Sequence, residues 1–277
     1  MRTVEETLIE PGRRSLREQA AEVIRFRELL YFLVWKNLKV RYAQALLGAL
    51  WAILQPLLTA VILGLLLGRF ARIPTDGVPP FVFYLTALVP WTFFANALTT
   101  AAGSLVTNQP LIMKVYFPRI CLPISGVLSA VVDLMVPLIL LLIVMAYSSS
   151  GALTLQAALA IPLLLSIAAI AATGLGVGLA ALNLRYRDVT HTLPFLVQIL
   201  FFASPIVYSV SRLPAEWRTL YFLNPMASVI DGFRAILLGT HPFSWTESLI
   251  GLASALLLLA VGVVYFERDE HRFADVA

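Results

Sequence analysis

The 277 residues predict an all-α membrane protein, and three observations carry that class. Hydrophobic residues make up 60% of the chain and charged residues only 13%, well below the roughly 25% usual in soluble domains. Six apolar stretches each approach or exceed the roughly 20 residues that a helical crossing requires. Lysine and arginine are concentrated between those stretches, unevenly distributed between the two sides. So little chain remains that no separate soluble domain fits, and residues 22–277 read as one transmembrane domain behind a tail of residues 1–21.

The tail mixes Arg13, Arg14 and Arg17 with Glu5, Glu6, Glu10 and Glu18 and has no apolar run, so it is not expected to be a secretory signal. From about Glu22 to Arg41 the pattern becomes amphipathic. Arg25, Glu28, Lys36 and Lys39 share one side, and Ile24, Leu29, Leu30, Leu33, Val34 and Leu38 cover much of the rest. This predicts an interfacial helix along the membrane surface. The crossings follow at Ala45–Gly68, Phe81–Val106, Ile120–Tyr147, Ala157–Leu182, His191–Val210 and Glu247–Phe266. Leu220–Gly239 is partly apolar but carries Asn224, Pro225, Asp231 and Arg234, too polar for a lipid-facing crossing, and is expected to be re-entrant, buried in protein or lining water. Of the 20 basic residues, 15 fall on the side of the N-terminal arm, so the positive-inside rule predicts both termini in the cytoplasm. The net charge of +4 is thereby explained without nucleic acid.

Chemistry is sparse. Lys36, Lys39 and Lys114 are the only lysines and none stands in a phosphate-cradling Gly-x-x-x-x-Gly-Lys-Ser/Thr loop, so this chain is not expected to hydrolyse ATP. His191, His241 and His271 have no zinc-type spacing, the single Cys121 has no companion, and no Gly-x-Ser-x-Gly elbow is present. No catalytic or metal site is predicted. Asp133, near the middle of the third crossing, must be neutral, paired or wetted, because an unpaired charge there is expensive. Gln55, Asn96 and Asn183 suit hydrogen bonds between helices.

Four runs carry a resemblance: Gly48-Ala49-Leu50-Trp51-Ala52-Ile53-Leu54-Gln55-Pro56-Leu57, Tyr116-Phe117-Pro118-Arg119, Asn183-Leu184-Arg185-Tyr186-Arg187-Asp188-Val189, and Asn224-Pro225-Met226 ahead of Gly232-Phe233-Arg234. In order and spacing the chain, from about residue 25 onward, resembles the permease subunits of bacterial polysaccharide and polyol-phosphate ABC exporters. The resemblance implies an inner-membrane homodimer docked on two ATPase subunits that hold ATP and magnesium. The implied cargo is a lipid-linked polysaccharide of the O-antigen, capsule or teichoic acid type, carried on undecaprenyl pyrophosphate. It makes Asn108–Pro118 a coupling helix, with Asn108, Leu111, Lys114, Tyr116 and Phe117 toward the ATPase, and the loop of Arg185, Arg187 and Asp188 a second cytoplasmic link. Arg25, Lys36, Lys39 and Arg41 of the arm are further expected contacts.

On the outer side the resemblance implies gate helices between the last two crossings, built on Pro205, Tyr221, Asn224, Asp231 and Arg234. Asp231 and Arg234, three residues apart on a helix, are expected to pair. The chain holds 30 aromatic residues, and flat aromatic faces suit the apolar faces of sugar rings, so Tyr84, Trp91, Phe94, Phe201, Tyr208 and Trp217 are the expected lining of a glycan path. An ABC permease for a drug or small lipid, and an ion-coupled carrier, are the competing readings.

Overall fold

The computed structural model describes residues 23–43, 50–147 and 155–270, and the regular elements among them are all helical. The predicted tail, residues 45–49 of the first crossing, and His271 lie outside the described residues. Helix α1 spans Arg27–Tyr42, and α2 spans Leu50–Leu63 before widening into a π-helix over Gly64–Phe70. Helix α3 is Pro80–Thr107, the single turn α4 is Gln109–Ile112, α5 is Cys121–Tyr147 and α6 is Leu155–Arg185. After α7 (Asp188–Ala203) come the short α8 (Ala215–Tyr221), α9 (Pro225–Leu238) and α10 (Trp245–Glu270).

Among the described residues, five helices are long and apolar enough to cross a membrane: α2 with its π-helical end, α3, α5, α6 and α10. The expected crossing His191–Val210 is different. Its helix, α7, is apolar but only 16 residues, about 24 Å, and stops at Ala203. Pro205 is the cause: it has no N–H to continue the ladder, and it drives the residue before it, Ser204, into extended backbone (ψ 153°).

Close approaches set the directions. Arg185 at the end of α6 lies 3.7 Å from Asp269 at the end of α10, so these two helices run parallel. Their contact is backbone on backbone at Gly174 and Gly262, where an added Cβ would collide with the main chain of Leu258 and Leu259, or of Gly174. Small residues permit that approach, and in lipid close van der Waals packing is what drives helix association. Asn183 of α6 donates to the Ala102 carbonyl of α3 at 3.1 Å, making α3 parallel to both. Helix α5 returns antiparallel, its Gly126 seated against Thr100 and Ala101. Helix α3 is therefore the central rod, buried along most of its length.

The arm α1 packs on the bundle as well as presenting a surface. Leu29, Leu30 and Leu33 enter a core with Leu105, Phe117, Ile120, Leu184 and Phe266. Tyr31, Phe32 and Trp35 are left exposed, the residue types that anchor at headgroup level. Helix α9 is the element anticipated as re-entrant, and it is buried in protein: every residue but Ile236 is inaccessible, packed on α3, α6 and α10. Its limits follow from local chemistry. The Asn224 side chain accepts from the Met226 N–H at 3.0 Å, Pro225 opens the helix, and Gly239 closes it at φ +63°, a conformation that only glycine adopts without strain.

Candidate functional site

Two polar clusters occupy opposite ends of the bundle. At the end where α3, α6 and α10 finish, Lys36 of α1 donates to the Asn108 side-chain Oδ1 at 2.5 Å, and the Asn108 side-chain amide donates to the Ser104 backbone carbonyl at 2.7 Å. Phe117 is buried beside Leu105 and Ile120, and Leu111 packs on the same core. Between these anchors the chain protrudes: Met113 is 67% and Tyr116 69% exposed, with Lys114 and Val115 exposed beside them. The projection is thus a short knob held at both feet. Of the residues expected to face a motor, Lys114 and Tyr116 do face outward, whereas Asn108, Leu111 and Phe117 turn inward as its anchors.

The second loop lies at the same end. Arg185 reaches Asp269 and stacks on Tyr186 at 5.1 Å, and Asp188 sits in the first turn of α7, where a negative charge favours the helix dipole. Thr190 donates to the Asn183 oxygen at 2.8 Å, tying this loop to the rod through the Asn183–Ala102 bond. The arm cations are not all outward. Arg41 bonds Asp133 and donates to Thr100 at 3.2 Å, and Tyr42 donates to the other Asp133 oxygen at 2.6 Å. The intramembrane acid is therefore paired, and Arg41 serves the bundle; the resemblance had counted it among the motor contacts, and sequence alone does not show which side of the arm meets α5.

The far end is organised around the irregular stretch after α7. Arg234 of α9, almost completely inaccessible, donates to the carbonyls of Pro205 at 2.6 Å, Ile206 at 2.9 Å and Tyr208 at 3.1 Å, and lies 3.6 Å over the Phe83 ring. The Tyr84 hydroxyl donates to the Val207 carbonyl at 3.4 Å. The Asn224 amide donates to the Ala203 carbonyl at 3.2 Å, and Tyr208 and Tyr221 meet hydroxyl to hydroxyl at 2.8 Å. From the α2–α3 hairpin, Asp76 accepts from Ser209 and, at 3.1 Å, from Ser211. Side chains from α3, α9 and the Asn224 loop thus satisfy backbone that Pro205 freed from helix, which is what non-helical chain in an apolar setting requires, and Asp76 holds the same segment through its serine hydroxyls.

Two expectations need correction here. Asp231 and Arg234 do not form a salt bridge: Arg234 is committed to carbonyls, and Asp231 takes His241 instead, Nε2 to Oδ2 at 3.3 Å. Residues three apart on a buried helix answer to their neighbours in space before each other. The hydrogen bond to Asp231 is the main cause that raises the His241 pKa from 6.5 to about 9. The aromatic lining is also redistributed. Tyr84, Trp91 and Phe94 are buried inside the chain, Trp91 stacking edge-on against Phe201 at 5.6 Å, so their faces are spent on packing. Phe201 and Tyr208 are half-buried, and Trp217 is exposed. Asp76, Phe83 and the Arg41–Asp133 pair were not singled out as partners from sequence; the Asp76-Gly77 dipeptide marks a turn but not what that turn grips.

Comparison with known proteins follows the same outline. The family model described as ABC-2 type transporter matches residues 28–238. The chain is 32% identical over 259 residues to an O-antigen export system permease protein RfbA of Myxococcus xanthus, covering 92% of this chain and 97% of that protein. It is 28% identical to an O-antigen export system permease protein RfbA of Klebsiella pneumoniae over 90% of this chain and 95% of the relative. It is 25% identical to the polysialic acid transport protein KpsM of Escherichia coli over 71% and 76%. With the match reaching from the arm through the knob to the end of α9, the chain belongs to the ABC-2 type transporter family of membrane permeases.

Proposed function

We propose that this chain is the transmembrane subunit of an ATP-driven exporter that moves a lipid-linked polysaccharide, of the O-antigen, capsule or teichoic acid type, out across the inner membrane. It works as two copies with two copies of a separate ATPase, which binds ATP and magnesium; both termini face the cytoplasm, and undecaprenyl pyrophosphate is the carrier. The observation that carries this reading is the knob at residues 108–117, exposed at its tip and anchored at both feet. A protrusion so held transmits force instead of absorbing it, because Asn108 bonds the last turns of α3 and Phe117 wedges between α3 and α5.

The rod completes the linkage. Helix α3 runs 28 residues, about 42 Å, from the knob to Phe83, which lies under the Arg234 guanidinium, and Tyr84, which bonds the Arg234-held segment at the other end. Force applied to the knob by a motor reaches the far end through a single continuous helix. The relatives named for O-antigen and polysialic acid transport supply the cargo class. Charge reversal at the tip, Lys114→Glu with Tyr116→Ala, is expected to cut co-purification of the ATPase about tenfold or more, leaving the permease in the membrane at normal level. In the same cells lipid-linked polymer accumulates inside. Purified permease that moves cargo on an ion gradient with no ATPase would overturn the reading.

A further inference from the structure

The segment that Pro205 freed from helix is held by two kinds of bond. Arg234 grips its backbone carbonyls from α9 with a side chain only 1% exposed, so water does not compete for those bonds. The tie to the α2–α3 hairpin is different in both respects. It runs from side chain to side chain, Ser209 and Ser211 each donating a hydroxyl to one carboxylate oxygen of Asp76, and Asp76 is only half-buried. Bonds within reach of water part at low net cost, because water takes the place of either partner.

The hairpin is shaped to reach. Its legs are pinched where Gly68 faces Pro80, so closely that an added Cβ would collide with the proline ring, and residues 69–79 lie beyond that point. Arg72 and Asp76 both take left-handed backbone at φ +51°, uncommon for residues with a side chain. Such backbone persists where contacts hold it, and the two serine hydroxyls fasten Asp76. Helix α2, which leads into the hairpin, packs on α3 and α5 but is fully buried only at Pro56, Ala60 and Gly64. Its end is already widened into the π-helix over Gly64–Phe70, so it has slack to shift. Across the tie, the 3₁₀ turn Val210–Arg212 can swing without breaking an α-helix, and Val210 beneath it is seated on Phe222 and Ala227.

From this we infer that Asp76 is the latch of the outer end: it holds residues 209–211 against the hairpin while the transporter rests and releases them in each export cycle. The inference rests on the proposed export and deepens it. Force carried along α3 to Tyr84 arrives, through its bond to Val207, at the segment that this latch restrains.

Cys121, the one native cysteine, is buried, so introduced cysteines can be read against it. In spheroplasts holding the whole transporter, Asp76→Cys with Ser211→Cys, joined by a short reducible thiol linker, is expected to cut surface appearance of polymer about tenfold or more, with reductant restoring it. Each single cysteine treated alike is expected to stay within about twofold of its untreated rate. Val210→Cys leaves both serines in place at a position that is buried at rest. It is expected to react with an impermeant maleimide about tenfold faster when Asp76→Ala is added, and likewise faster in energised than in ATP-depleted cells. Ile206→Cys, in the part that Arg234 holds, is expected to stay protected in the Asp76→Ala protein. A linked pair that exports at its unlinked rate overturns the latch, as does Val210→Cys that stays slow with Asp76→Ala. Labelling of Ile206→Cys along with Val210→Cys would make Asp76 a structural tie and overturn it too. Any of these with display still dependent on this protein sinks the latch alone; normal display in cells lacking the protein sinks the export reading itself.

Discussion

Arg234 shows how one side chain can stand in for a secondary-structure ladder. Its guanidinium fork reaches three carbonyls on the segment after α7, a geometry that a lysine ammonium cannot reproduce. Arg234→Lys is expected to cost about 2 to 3 kcal/mol, the range for buried acceptors left unmatched. The local readout is sharper: Ile206→Cys, wholly buried in the native protein, becomes reactive to maleimide when Arg234→Lys is added. Continued protection would show that the carbonyls hold without it. His241 makes a pH-dependent contact. Its folded pKa of about 9 lies above the ordinary 6.5, so the contribution of its pair with Asp231 is complete below about pH 6.5 and is lost as pH rises through about 9. His241→Gln is therefore expected to lower thermal stability by roughly 1 to 2 kcal/mol near pH 6, allowing for solvent at a side chain about one-third exposed, and to make little difference above about pH 9. A stability gap that does not change between those values would remove the ion pair from the account.

Among the elements, the arm has the most to explain. Helix α1 has only Leu33 fully buried, so its hold on the bundle relies on polar ties: Lys36 to Asn108, Asn37 to Ser125 at 3.3 Å, and Arg41 with Tyr42 to Asp133. Removing Arg41 leaves Asp133, whose side chain is 9% exposed, as a poorly solvated charge, whereas Arg41 is about one-third exposed. Arg41→Ala is expected to destabilise the purified protein by about 2 kcal/mol and Asp133→Ala by less, while Arg41→Ala with Asp133→Ala costs less than the two single changes added together. Thermal unfolding of the four proteins decides this, and simple additivity of the two single changes would contradict the pairing. Helix α9 was legible in outline because an Asn-Pro start and a Gly stop are local signals. Helix α7 was less so: hydropathy carries on past Ala203, but Pro205 ends the ladder that hydropathy cannot see.

At the scale of the molecule, the bundle sorts its loops by end. The arm, the knob, the Arg185 loop and the close of α10 gather at one end; Asp76, Ser209 and Ser211 meet at the other. That sorting agrees with the separation of basic residues along the chain. It predicts that Arg212→Cys, at an exposed position, is labelled from outside intact cells, whereas Tyr116→Cys is labelled only in inverted vesicles. Labelling of both from one side would reverse the assignment.

Hydropathy and short-range motifs, which each segment carries alone, were enough to read the class of molecule, the places of its long helices and the absence of a local nucleotide loop. They also marked Asp133 as a costly charge that had to be neutral, paired or wetted. Packing in three dimensions was needed to show that the partner is Arg41, that Arg234 answers to carbonyls and Asp231 to His241, and that Tyr84, Trp91 and Phe94 of the expected aromatic lining are core. Those outcomes depend on groups tens of residues apart competing for the same hydrogen bonds and the same buried space. Helix periodicity says which residues share a face, and packing says what that face meets.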